Sequence, residues 1–189
     1  MAISPNNRIP AIDGQNPGDG GATGPVFESG AILLYLAGKT GKFLPKDLRG
    51  RAGRPNDFFW QVDGLGPMAG QNHHFKQYAR EKLNYAIGRY MNEINRLHAV
   101  FNKHLADRAF VAGEYSIAGM AVYPWIVPHE SQGRKLADFP HLERWFEAIR
   151  ARPATQRAYA RAAEINQAPV VGDEESRKIL FSRTAANVK

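Results

Sequence analysis

A chain of 189 residues with a formal charge of +7 and no cysteine is long enough to bury a core in one domain or two small ones. The lack of cysteine excludes a disulfide framework, a thiolate metal site and a protein thiol nucleophile, so any thiol chemistry must use the sulfur of a ligand. No apolar run approaches the ~18 residues that span a bilayer, and Met1 to Asn7 lacks a basic segment followed by an apolar one, so a cytoplasmic protein without a membrane partner is expected.

Charge patterning also speaks against a nucleic-acid partner. Basic and acidic residues are interleaved, as in Arg134-Lys135-Leu136-Ala137-Asp138 and Glu143-Arg144-Trp145-Phe146-Glu147. The densest basic cluster, Arg49, Arg51 and Arg54, reads as a solvated helix face. The net positive field favours an anionic ligand.

The first extended segment is Asn6-Asn7-Arg8-Ile9-Pro10-Ala11-Ile12. Pro10 has no amide hydrogen, and beside it the N–H and C=O of Ile9 can face outward and pair with an extended peptide. A cis Ile9-Pro10 bond would turn those groups toward a cleft; an ordinary trans proline at a strand end is the alternative. Asp13 to Pro25, with five glycines, two prolines and two aspartates, is loop and suits a long hairpin connection. Val26-Phe27-Glu28-Ser29 then leads into strong helix formers, Ala31 to Ala37. Ser29 is the expected first residue of that helix, where a hydroxyl and unpaired amides make a carboxylate site, although a serine there is also an ordinary cap.

From about Lys46 the pattern turns helical. One helix is expected over Arg51 to Asp63 through Phe58, Phe59 and Trp60, ending at the Gly64-Leu65-Gly66-Pro67 break. Ile87, Tyr90, Met91, Ile94, Leu97, Phe101 and Leu105 recur at steps of three and four and define a buried stripe. Ser116 is placed to cap the next helix, with Tyr115 and Met120 as a hydrophobic staple, and Pro124 and Pro128 keep that helix short or kinked. Leu142, Trp145, Phe146 and Ile149 mark another buried face. Beyond Ala163 the chain becomes polar, with a short helix expected at Glu174 to Phe181.

With these residues placed, the chain resembles the glutathione transferases over nearly its whole length. The segments carrying Ile9-Pro10 and Glu28-Ser29 look like the third strand and the entry to the third helix of that family's thioredoxin-like domain. Trp60-Gln61-Val62, Gly64-Leu65-Gly66-Pro67-Met68, Gly70-Gln71-Asn72-His73-His74-Phe75, Tyr85-Ala86-Ile87-Gly88-Arg89-Tyr90 and Arg150-Ala151-Arg152-Pro153-Ala154 resemble the bacterial nu class, which is Ure2-like. The resemblance implies an α+β, mostly α fold. A partial thioredoxin-like domain over 1–45, lacking its first β-α-β, would precede an all-α domain with a C-terminal tail over 46–189. The family usually carries Asp where this chain has Gly119, so half of a capping box is absent.

Carried over by residue, the resemblance assigns Ile9 and Pro10 to the cysteinyl unit of glutathione and Glu28 and Ser29 to the γ-glutamyl unit. Arg89 would face a glutathione carboxylate, and Arg8 the glycyl carboxylate. Phe75 with His73 and His74 would shape the second-substrate pocket. Adjacent histidines without a spaced third ligand do not make a metal site. No catalytic residue can be named, because the family's thiolate-stabilising Thr and Asn have no counterpart in this sequence. The implied function is glutathione-dependent thiol transfer or disulfide reduction by a homodimer, with glutathione or glutathione disulfide as partner. A non-catalytic glutathione-binding or interaction protein, or an inactive N-terminally truncated fragment, is the alternative.

Overall fold

The computed structural model describes residues 3–15, 20–21, 24–44, 56–166 and 171–187. As expected, these residues are mostly helical with a small sheet. Strands β1 (Ala11–Asp13) and β2 (Pro25–Phe27) pair antiparallel, with Ala11 opposite Phe27, Ile12 opposite Val26 and Asp13 opposite Pro25. Helix α1 (Ser29–Thr40) follows β2 directly. Contacts divide the chain into two compact units: Met1–Ile32 with Ala151–Lys189, and Leu33–Arg150. The expected boundary near residue 45, the Arg49, Arg51 and Arg54 cluster and the start of the helix expected from Arg51 lie outside the described residues.

The unit Leu33–Arg150 is helical. Its first long run, α2 (56–78), corrects the expected break at Gly64 to Pro67. Helical residues 56–59 pass into a π turn at Trp60–Leu65, an α segment at Gly66–His73 and a second π turn at His74–Tyr78. The wide π turn delivers Pro67 to the first turn of the α segment, where its missing N–H and its ring are tolerated. Glycine leaves room just before it: a Cβ on Gly66 would stand 2.8 Å from Gln61 Nε2 and 3.3 Å from the Trp125 ring, so the Gln61 side chain would have to shift. The run buries Phe58, Gln61, Leu65, Ala69 and Asn72, a three- and four-residue stripe masked in the sequence by its glycines and polar members.

Helix α3 (Asn84–His104) carries the expected stripe, with Ile94, Leu97 and Phe101 buried. Helices α4 (Ile117–Ile126) and α5 (Pro140–Arg150) close the core around Trp145, whose ring meets Phe101 edge-on at 4.9 Å. Tyr123 of α4 stacks on Phe146 at 5.0 Å. Helix α4 is short, with Pro124 inside it, as expected. Ser116 occupies its N-cap in extended geometry, but the side chain makes no cap hydrogen bond. Its hydroxyl is buried instead of turned onto the helix amides, and it has no partner among the described residues.

Two long-range contacts seal α3 against α5. Asn102 Oδ1 accepts from the His141 and Leu142 amides at 2.8 and 3.1 Å, so a residue of α3 caps the start of α5. In return, Arg144 Nη2 donates to the Leu105 and Arg108 carbonyls, each at 2.7 Å, and closes the end of α3.

In the other unit, β1, β2 and the start of α1 are grouped with α6 (Pro153–Ile165) and α7 (Glu174–Phe181). Helix α7 has the expected bounds, and Asp173 caps it by accepting from the Ser176 amide at 2.7 Å. Helix α6 was not anticipated. Pro153 in its first turn and an alanine-rich run after it are the signal.

Candidate functional site

The approach to β1 is a self-closed loop. Asn7 N donates to the Ser4 carbonyl at 2.9 Å, and the buried Ser4 hydroxyl bonds the Arg8 carbonyl at 2.7 Å. Asn7 stands at φ 53, so the chain reverses there before Arg8 and Ile9. The Ile9-Pro10 peptide bond is cis, one of the two alternatives the sequence left open. Ile9 is 82% exposed and lies ahead of the β1–β2 ladder. Its N–H and C=O have no hydrogen-bond partner among the described residues.

The strand register brings the two expected motifs together. The ladder ends with Ala11 opposite Phe27, so Ile9-Pro10 leads into that pair and Glu28-Ser29 leads out of it. Glu28, at φ 69, turns the chain out of β2, and its carbonyl accepts the first helical bond of α1 from Ile32 N at 3.0 Å. The amides of Ser29, Gly30 and Ala31 therefore precede the first intrahelical donor. Ser29 is exposed and its hydroxyl makes no hydrogen bond with the described residues. The exposed Glu28 carboxylate is steadied by Asn6 Nδ2 at 3.0 Å.

This arrangement offers three complementary features at one strand end. A helix start with a hydroxyl suits a carboxylate, Glu28 suits an ammonium group, and the free backbone of Ile9 suits an extended peptide. Arg8, exposed on the same loop, adds a cation to that segment.

Arg89, the remaining expected site residue, belongs to the Leu33–Arg150 unit. It lies on α3 with its side chain 55% exposed, 3.6 Å from Glu93 Oε2. Glu93 also holds Arg96 at 2.6 Å, and these two arginines keep its carboxyl below the usual range, Arg96 having the larger effect.

The same unit carries an aromatic cluster where α2 meets α3. Phe75 stacks on Tyr90 at 5.5 Å with the rings 9° apart, and His74 meets Phe75 edge-on at 5.2 Å. His73 packs its ring against Tyr78 at 5.0 Å, and burial lowers its pKa. Among the described residues no group of three His, Asp or Glu side chains could hold a metal ion.

Sequence reasoning missed His98. It is fully buried on the α3 stripe, edge-on to Phe139 at 5.5 Å, and neither ring nitrogen has a partner among the described residues. Desolvation, with smaller contributions from Arg134 and His129, drives its pKa down to about 4. The available signal was its position, four residues after Ile94 and three before Phe101.

Comparison with known proteins points to a family for the chain. Residues 73–153 match the family model for the C-terminal domain of glutathione S-transferases. The disulfide-bond oxidoreductase YfcG of Escherichia coli is 49% identical over 177 residues, covering 93% of this chain and 79% of that protein. The disulfide-bond oxidoreductase YghU of the same organism is 41% identical over 168 residues, covering 83% of this chain but only 56% of that protein. Among solved structures, a glutathione transferase from Burkholderia graminis with two glutathione molecules bound per subunit superimposes with a TM-score of 0.76. It is 39% identical, and the match covers 83% of this chain and 68% of that one.

Proposed function

Since this chain belongs to the glutathione S-transferase family, we propose that it binds glutathione at the Ile9 and Ser29 strand end and uses the ligand's sulfur for thiol transfer or disulfide reduction. The observation that supports this reading is the Ala11–Phe27 pair at the end of the ladder, with Ile9-Pro10 leading into it and Glu28-Ser29 leading out of it. Glutathione is an extended tripeptide with an amino group and two carboxylates. Its cysteinyl backbone would pair with Ile9, its γ-glutamyl carboxylate would sit on Ser29 and the α1 amides, and its ammonium group would meet Glu28. Arg8 and Arg89 are assigned to carboxylates of the bound peptide. Phe75, His73 and His74 are assigned to the wall that receives the second substrate.

The chemistry needs no protein cysteine. The thiolate of one glutathione attacks a sulfur of the substrate disulfide, the S–S bond breaks, and the departing thiolate takes up a proton. A second glutathione thiolate then attacks the mixed disulfide, releasing the second substrate thiol and glutathione disulfide. The pair of glutathiones in the Burkholderia graminis protein supports a site of this kind. We assign no residue of this chain to stabilising the thiolate. The 1–45 and 46–189 division, a homodimeric assembly and a cytoplasmic location are part of the same proposal.

The test is turnover of a small model disulfide with glutathione, followed as the formation of glutathione disulfide. Turnover above the uncatalysed rate is the expected result. Binding without turnover would replace the enzyme with a glutathione-binding protein.

A further inference from the structure

One contact ties the end of the chain to the loop that presents Ile9. Arg183, just past the end of α7, donates from Nε to the Ile179 carbonyl at 2.9 Å and from Nη1 to the Asn7 carbonyl. Ile179 lies in the last turn of α7, where carbonyls lack intrahelical donors, so the guanidinium fork bridges a helix-end carbonyl and a loop carbonyl. Asn7 is the residue at which the loop reverses, two positions before Ile9, and its own N–H is engaged by Ser4. Asn7 lines an open cleft of about 670 Å³ together with Lys178, Ile179, Ser182 and Arg183, so the two segments face one another. Helix α7 has no fully buried residue, which gives polar contacts of this sort more weight in fixing it.

We propose that Arg183 is a positioning residue for the peptide-binding strand end. By holding the Asn7 carbonyl against the end of α7, it sets the direction in which the Ile9 N–H and C=O leave the loop, and through them the affinity for glutathione. This rests on the reading of Ile9 as the backbone partner of glutathione. The role needs arginine: a lysine ammonium is a point charge that cannot span both carbonyls in a fixed planar fork.

The test compares the full chain with Arg183→Ala and Arg183→Lys by amide hydrogen exchange over residues 7–12, glutathione titration and steady-state kinetics. Ser29→Ala is the control for the site itself. Arg183→Ala should speed exchange in residues 7–12 while leaving 84–150 unchanged. It should raise the Kd and KM for glutathione about three- to tenfold, the size of one net hydrogen bond, at unchanged kcat. Arg183→Lys should fall between it and the parent chain, and serves alone if the alanine variant does not fold. Unchanged exchange in residues 7–12 would overturn the proposal whatever the ligand does. Faster exchange with unchanged Kd, while Ser29→Ala still weakens binding, would overturn the effect on affinity. No glutathione uptake by the parent chain would overturn the reading of the site and, with it, that effect; the exchange data would still report whether Arg183 holds the loop.

Discussion

The two units of this chain are held by different means. The residues of the apolar core cluster lie in the unit Leu33–Arg150, centred on Trp145, Phe101 and Leu65. That unit is further sealed by the Asn102 and Arg144 exchange of helix caps. The unit made from the two ends of the chain has a two-stranded sheet and helices α6 and α7 without fully buried residues. It relies on polar fastenings at Ser4, Asn6, Asp173 and Arg183. Its exposed groups, Ile9, Glu28 and Ser29, form the candidate peptide site. With the proposed site there, stability and ligand capture fall on different residues, and substitutions should separate them.

The largest effect is expected from Trp145→Ala, which removes a fully buried indole from the meeting point of Phe101 and Tyr123. A loss of about 3–5 kcal/mol should appear in denaturant unfolding. A loss under 1 kcal/mol would break the contrast, because the helical unit would then not depend on this core.

Acid should act on the same unit through His98. The folded state keeps its ring neutral with a pKa of about 4, below the ordinary imidazole value of 6.5, so protons bind preferentially to the unfolded chain between these values. The stability linked to His98 is fully present above pH ~6.5 and should fall by about 3 kcal/mol as the pH drops to 4. His98→Phe should flatten this part of the profile in unfolding experiments run from pH 7 to 4. An equally steep profile in that variant would assign the acid sensitivity elsewhere.

Asn102→Ala leaves two α5 amides without their shared acceptor and should cost about 1–2 kcal/mol in the same assay. Glutathione affinity should stay within twofold if the contrast between units holds.

Local patterns made much of this legible. The α3 stripe, the apolar face of α5 and the bounds of α7 follow from residue spacing and caps within one helix. The strand end carrying Ile9-Pro10 and Glu28-Ser29 was readable because proline chemistry and helix starts are local. What escaped depends on distant partners. The π turns of α2 accommodate Gly66 and Pro67 beside Trp125, some 60 residues on, and Asn102 caps α5 from 39 positions away. His98 was missed because a polar residue on an apolar stripe looks like an interruption of it until its burial is seen. Arg183 reaches Asn7 across 176 positions, a pairing that no spacing rule anticipates.

The most direct test of the division between fold and site is a calorimetric titration of glutathione into the parent chain and Ser29→Ala, with unfolding of both measured alongside. Saturable binding that Ser29→Ala weakens by about 1–2 kcal/mol, at a stability changed by less than about 0.5 kcal/mol, is the predicted result. Equal affinity in the two proteins, or a folded parent chain that takes up no glutathione, would contradict the account.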